Sequence, residues 1–111
     1  MPDSVALTES TYYILLSLLS PQHGYGIMQK TEEMSGGRVR LAAGTLYGAL
    51  NALSDKGWIL PLPVEDGSRR KEYALTEKGR GVLIKEIARL RELADNGARA
   101  LKEEEQWKIE E

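Results

Sequence analysis

The stretch AGTLYGALNALSDKGWILPLPVEDGSRRKEYALTEKG, residues 43–79, carries in sequence a helix, an extended arm, a turn, a second arm and the start of another helix. In its first part Leu46, Leu50 and Leu53 fall at i, i+4 and i+7, one apolar stripe of a helix, with Lys56 in the last turn and Gly57 at the left-handed position past its end. The other face is unusual: Thr45, Gly48, Ala49, Asn51, Ala52 and Asp55 are small or short, where a helix made only for solvation more often carries Glu and Lys. WILPLPV follows, and its two prolines lack amide donors. Because successive amides of a strand point to opposite edges, Pro61 and Pro63 leave their gaps on one edge, while Leu60, Leu62 and Val64 remain able to bond a partner on the other. The segment is therefore expected to pair with a return strand RKEYAL through a turn at Asp66-Gly67-Ser68, with Tyr73 and Leu75 facing the core. That hairpin carries Arg69, Arg70 and Lys71 at its tip and outgoing arm.

Outward from this stretch the pattern is helical on both sides. Thr8 is a suitable N-cap for a first helix in which Tyr12, Leu15, Leu16 and Leu19 share a stripe, ended by Ser20-Pro21. A second helix is expected from YGIMQKTEEM, with Ile27, Met28, Thr31 and Met34 at helical spacing and Gly36-Gly37 as a left-handed stop. RVRL, residues 38–41, reads as a very short strand or an extended link. On the far side Thr76 caps a last helix with Glu77 in its first turn. Leu83, Ile87, Leu90, Ala94, Gly97 and Leu101 then repeat at alternating spacings of four and three, a heptad seam. From Thr76 to Trp107 such a helix spans about 45 Å, more than the diameter of the small body before it. Part of its apolar stripe needs a second copy of the chain to cover it.

The totals narrow the function. With 111 residues, 41% hydrophobic and 29% charged, the chain has the makings of one globular folding unit. It has no Cys and one His, so thiolate metal sites, disulfides and cysteine nucleophiles are excluded, and imidazole chemistry rests on His23 alone. No enzyme constellation, cofactor motif or metal cluster can be named. YYILLSLL is far short of the roughly 20 residues of a bilayer span, so no membrane partner and a cytoplasmic location are expected. The net charge of −2 argues against a polyanion partner when taken alone. The charges are polarised, however. Residues 38–80 hold Arg38, Arg40, Lys56, Arg69, Arg70, Lys71, Lys78 and Arg80 against only Asp55, Glu65, Asp66, Glu72 and Glu77, and both flanks are acidic. Such a middle can steer a polyanion.

Helix, helix, short strand, helix and hairpin is the layout of a winged helix-turn-helix, in which the third helix enters a major groove and the hairpin lies along the adjacent phosphates. The expected fold is thus mainly α with a small β-hairpin: a winged helix-turn-helix domain over residues 1–76 and a C-terminal dimerisation helix over 77–111. The slim face of the third helix suits a groove about 12 Å wide. The alternative is a winged-helix module that binds another protein and not DNA.

Three motifs in order, HGYGI at 23–27, GTLYGALNALSDKGWI at 44–59 and RRKEYALTEKG at 69–79, resemble the PadR family of bacterial transcriptional regulators. The likeness covers most of the chain; the family pattern often has proline at the place of Gly48 and another residue at Gly26. The resemblance implies a homodimeric regulator of double-stranded DNA, expected to be a repressor, with a small aromatic ligand bound at the dimer interface as effector. It places Thr45, Tyr47 and Asn51 of the third helix against DNA, Tyr47 matching the tyrosine of the TLY motif. Arg69, Arg70 and Lys71 are expected on phosphates, with Arg38 and Arg40 as secondary contacts. Leu90, Leu93, Ala94, Leu101 and Trp107 are the expected dimerisation residues. His23 is expected to cap or pack rather than to bind a ligand.

Overall fold

In a computed structural model that describes residues 6–64 and 70–110, Thr8 opens α1 (Glu9–Ser17) as its N-cap, its hydroxyl accepting the Thr11 amide at 3.1 Å. The chain continues through β1 (Gln22–His23), α2 (Gly24–Met34), α3 (Ala43–Asp55), β2 (Ile59–Pro61), β3 (Glu72–Leu75) and α4 (Glu77–Glu110). The architecture is mainly helical, with a three-stranded antiparallel sheet in the order β1-β3-β2. The core joins Ile14, Leu15 and Leu18 of the first helix and its end, Ile27 of α2, Leu46, Leu50 and Leu53 of α3, Trp58, Ile59 and Tyr73 of the sheet region, and Leu83 of α4.

Most of the expected punctuation is in place. The φ angles of Gly36, Gly37 and Gly57 are +63°, +86° and +76°, the left-handed stops of α2 and α3. In the hairpin the Leu62 amide donates to the Glu72 carbonyl at 2.8 Å, and Pro61 lies opposite Tyr73. The proline nitrogens therefore face the open edge of the sheet, where a missing donor costs nothing and discourages another strand from adding there. The Thr76 hydroxyl accepts the Gly79 amide at 3.0 Å as the N-cap of α4.

Three details correct or refine the sequence reading. Leu19 is not part of the α1 stripe: it is 58% exposed, because the helix ends at Ser17 and the buried stripe is Ile14, Leu15 and Leu18. Met34, at the last position of α2, is also exposed. RVRL is a link and not a strand, the second of its two readings; the short strand of the sheet is Gln22–His23, which pairs with β3 in the register Gln22 to Tyr73 and His23 to Glu72. α4 runs unbroken through Asn96-Gly97, and its 34 residues make a rod of about 51 Å. Its first turns are bedded in the body, where Gly79, Leu83 and Glu86 are buried, whereas every residue from Arg91 to Lys108 is exposed.

Candidate nucleic-acid interface

α3 presents its small face to solvent. Ala42, Ala43, Gly44, Thr45, Tyr47, Gly48, Asn51 and Ala52 are exposed, while Leu46, Leu50 and Leu53 hold the opposite stripe in the core. No side chain caps the start of α3, since Ala42 occupies the N-cap position. Its first amides thus face solvent beside Thr45, a polarity that favours an anion.

Tyr47 is 49% exposed, neither buried nor fully projecting. Its ring lies back across the start of α2, where a Cβ added to Gly24 would come within 2.6 Å of the Tyr47 hydroxyl. Gly24 is therefore the residue that lets α2 and α3 meet at this point. The neighbouring Tyr73 phenol has its pKa raised, first by burial and second by the nearby Tyr47. Tyr25, 64% exposed, stands on the same end of α2 with its hydroxyl accepting from Gln29 Nε2 at 3.2 Å. Sequence reasoning did not single it out; an exposed aromatic in the first turn of the second helix was the available signal.

The wing cations divide. Arg69 and the turn at Asp66-Gly67-Ser68 lie outside the described residues. Arg70 is exposed, with Nη1 3.3 Å from Nε2 of His23. Lys71 is exposed, its ammonium 5.8 Å from the Tyr73 ring centroid. His23 also caps α2, its Nδ1 accepting the Gly26 amide at 3.2 Å. Arg38 pairs with Glu9 at 3.1 Å and Arg40 with Glu32 at 3.6 Å, both in solvent. Such pairs hold little energy, so phosphate could compete for either arginine, but neither projects beside α3 as an unpaired cation. Lys56, at the C-cap of α3, lays its ammonium over the Trp58 indole, 4.6 Å from the ring centroid.

The residues expected to join two copies sit where the body stops covering α4. Leu90 is 39% exposed, Leu93 53%, Leu101 65% and Trp107 62%, and Ala94 is exposed between them. Where α1 and α4 diverge, a cavity of about 270 Å³ is lined by Leu7, Glu9, Tyr12, Tyr13, Glu86 and Leu90. Among the described residues there is no group of three or more acids, histidines or cysteines placed to hold a metal. No helix there is long and apolar enough to cross a membrane.

Comparison with known proteins agrees with this geometry. The model of the transcriptional regulator PadR-like family matches residues 14–85, from the middle of α1 to the bedded part of α4. The chain belongs to that family. Among solved PadR-like structures, a transcription factor from Bacteroides fragilis is 30% identical, with a TM-score of 0.68 over 82% of this chain and 87% of the other. A PadR family regulator from Eggerthella lenta is 26% identical, with a TM-score of 0.67 over 82% and 80%. An uncharacterized 37.1 kDa protein in a transposon of Streptomyces fradiae is 42% identical over 66 residues, 60% of this chain and 18% of that protein. The chain thus spans less than a fifth of that curated relative.

Proposed function

We propose that this PadR-like chain is a homodimeric, sequence-specific DNA-binding repressor. The observation that carries the reading is the slim exposed face of α3, from Gly44 to Asn51, beside the wing that bears Arg70 and Lys71: Tyr47 lies near Tyr73, over whose ring Lys71 is placed. α3 enters the major groove with Thr45 and Asn51 toward base edges and phosphates, and Tyr47 at the groove wall. Arg69, Arg70 and Lys71 bind the adjacent phosphates, and Arg38 and Arg40 join after exchanging their carboxylate partners. Residues 1–76 address DNA; residues 77–111 join two copies through Leu90, Leu93, Ala94, Leu101 and Trp107, with the first turns of α4 as the foundation. Two recognition helices then meet half-sites about 34 Å apart. A small aromatic effector binds between the paired α4 helices and alters that spacing. Titration of aromatic compounds followed by the emission of Trp58 and Trp107 tests this part.

The deciding experiment is DNA selection on the purified chain, followed by affinity against salt for the selected site and for unrelated DNA. Replacing Arg69, Arg70 and Lys71 by Ala is expected to weaken binding to all sequences and to reduce the salt slope by up to about one unit per lost contact. A triple variant with unchanged affinity and slope removes the wing from the interface. A chain that selects no site and shows no salt-dependent binding supports a protein-binding module instead.

A further inference from the structure

The only imidazole of the chain is addressed by two donors. The Gly26 amide points at Nδ1 of His23 from 3.2 Å, and Nη1 of Arg70 lies 3.3 Å from Nε2. A neutral imidazole has one acceptor nitrogen, because the other carries the proton, and the guanidinium has only donors to offer. The two contacts cannot both be hydrogen bonds at the same moment. We infer that His23 is a positioning residue whose single lone pair is shared between the N-cap of α2 and the wing. With the proton on Nε2 the Gly26 amide is capped and Arg70 loses its acceptor at this ring. With the proton on Nδ1, Arg70 is held against the ring and the third amide of α2 goes uncapped.

The placement of His23 makes this competition more than a surface contact. His23 is at once the second residue of β1, the strand that ties β3 to the helical body, and the residue that starts α2. One ring therefore links the arm carrying Arg70 and Lys71 to the helix packed beside α3. On the function proposed above, a phosphate that draws Arg70 away returns the lone pair to Gly26 and firms the start of α2. DNA engagement by the wing and ordering of the helix-turn-helix then favour each other.

The test uses the free 111-residue chain and so is independent of whether DNA binds. Long-range proton–nitrogen correlation reports the tautomer of the one imidazole, and amide exchange reports the protection of Gly26. In Arg70→Ala the tautomer is expected to move toward Nε2–H and Gly26 protection to rise by up to roughly fivefold, the factor an N-cap of this kind carries. An unchanged tautomer ratio with unchanged Gly26 protection overturns the proposal. His23→Asn supplies a cap oxygen but no second ring nitrogen. Its Gly26 protection is expected to be unaffected by adding Arg70→Ala, whereas in the native background that change raises it. A His23→Asn chain whose Gly26 protection still rises on Arg70→Ala overturns the proposal as well. Should that variant fail to fold, the Arg70→Ala comparison decides alone.

Discussion

Gly79 and Gly97 lie eighteen residues apart on α4, five full turns, and so on the same side of one continuous helix, yet their surroundings are opposite. A Cβ at Gly79 would collide with the backbone carbonyl of Trp58 and come within 2.8 Å of Leu75 Cδ1; at Gly97 it would meet nothing within 4 Å. The same residue type therefore serves close packing in the inner half of α4 and has no intrachain partner in the outer half. The difference marks where the folded body ends. Up to Leu90 the helix is held by tertiary contact, and beyond it the helix has only its own hydrogen bonds, which in water are marginal for a segment of this length. If that division is right, Gly79→Ala is the most damaging single methyl this helix can receive. A loss of about 3 kcal/mol or more is expected in urea unfolding, because the obstacle is backbone and cannot rotate away. A loss below about 1 kcal/mol would mean that the inner half is less firmly seated than Leu83 and Gly79 indicate.

Glu86 sharpens the same comparison through charge. It is 2% exposed, accepts Nε and Nη2 of Arg89 at 2.6 and 2.9 Å, and accepts the Leu7 amide at 2.9 Å. Its carboxyl is held below the ordinary value of 4.5, chiefly by the hydrogen bond from Arg89, with burial opposing and the Leu7 amide and the arginine charge assisting. A depressed folded pKa stabilises above the unfolded value, and the contribution drains away as pH falls through the folded one. Acidification below about pH 4.5 is accordingly expected to cost the native chain stability through this group. Glu86→Gln should cost about 2 kcal/mol at neutral pH and show a shallower acid limb in urea midpoint against pH. The carboxylates of Glu92, Asp95, Glu103, Glu104 and Glu105, all exposed, should give no comparable effect when amidated singly. Equal losses from Glu86→Gln and from an outer-half change such as Glu103→Gln would erase the distinction between the halves.

What the sequence made legible follows the range of the interactions involved. α3 could be read because Leu46, Leu50 and Leu53 sit on one stripe with a glycine stop, and all three are buried. The hairpin was legible from a local stereochemical argument about proline edges that the Leu62 to Glu72 bond bears out. β1 was not legible, since two residues have no period and only the partner strand defines them. The stripe of α1 was misassigned at Leu19 because that helix is apolar around most of its circumference, so periodicity could not choose a face or an end. Glu86 looked like one more charge on a charged helix; its burial depends on a backbone amide seventy-nine residues away. At the candidate site the identities of Arg70, Lys71 and Tyr47 were visible, while the ring contact to His23 and the seat of Tyr47 on Gly24 depend on tertiary approach.

Gly97→Ala carries the smallest expected effect and the most information about the outer half. In an isolated, solvent-exposed helix the change should raise stability by about 1 kcal/mol, seen as added ellipticity at 222 nm and slower amide exchange from Arg91 to Lys108, with no change in the body. Gly97, however, falls on the same heptad seam as Leu90, Ala94 and Leu101. If a second copy packs there with its backbone close to the Gly97 Cα, the added methyl meets that copy, and dimer affinity falls even as the single helix gains. Sedimentation equilibrium alongside exchange separates the two terms: slower exchange with unchanged association places Gly97 on the open side of the pair, and slower exchange with weakened association places it in the contact. Faster exchange in the variant would contradict both, because it would require the outer half to be held in a backbone conformation that alanine resists, and α4 is helical throughout.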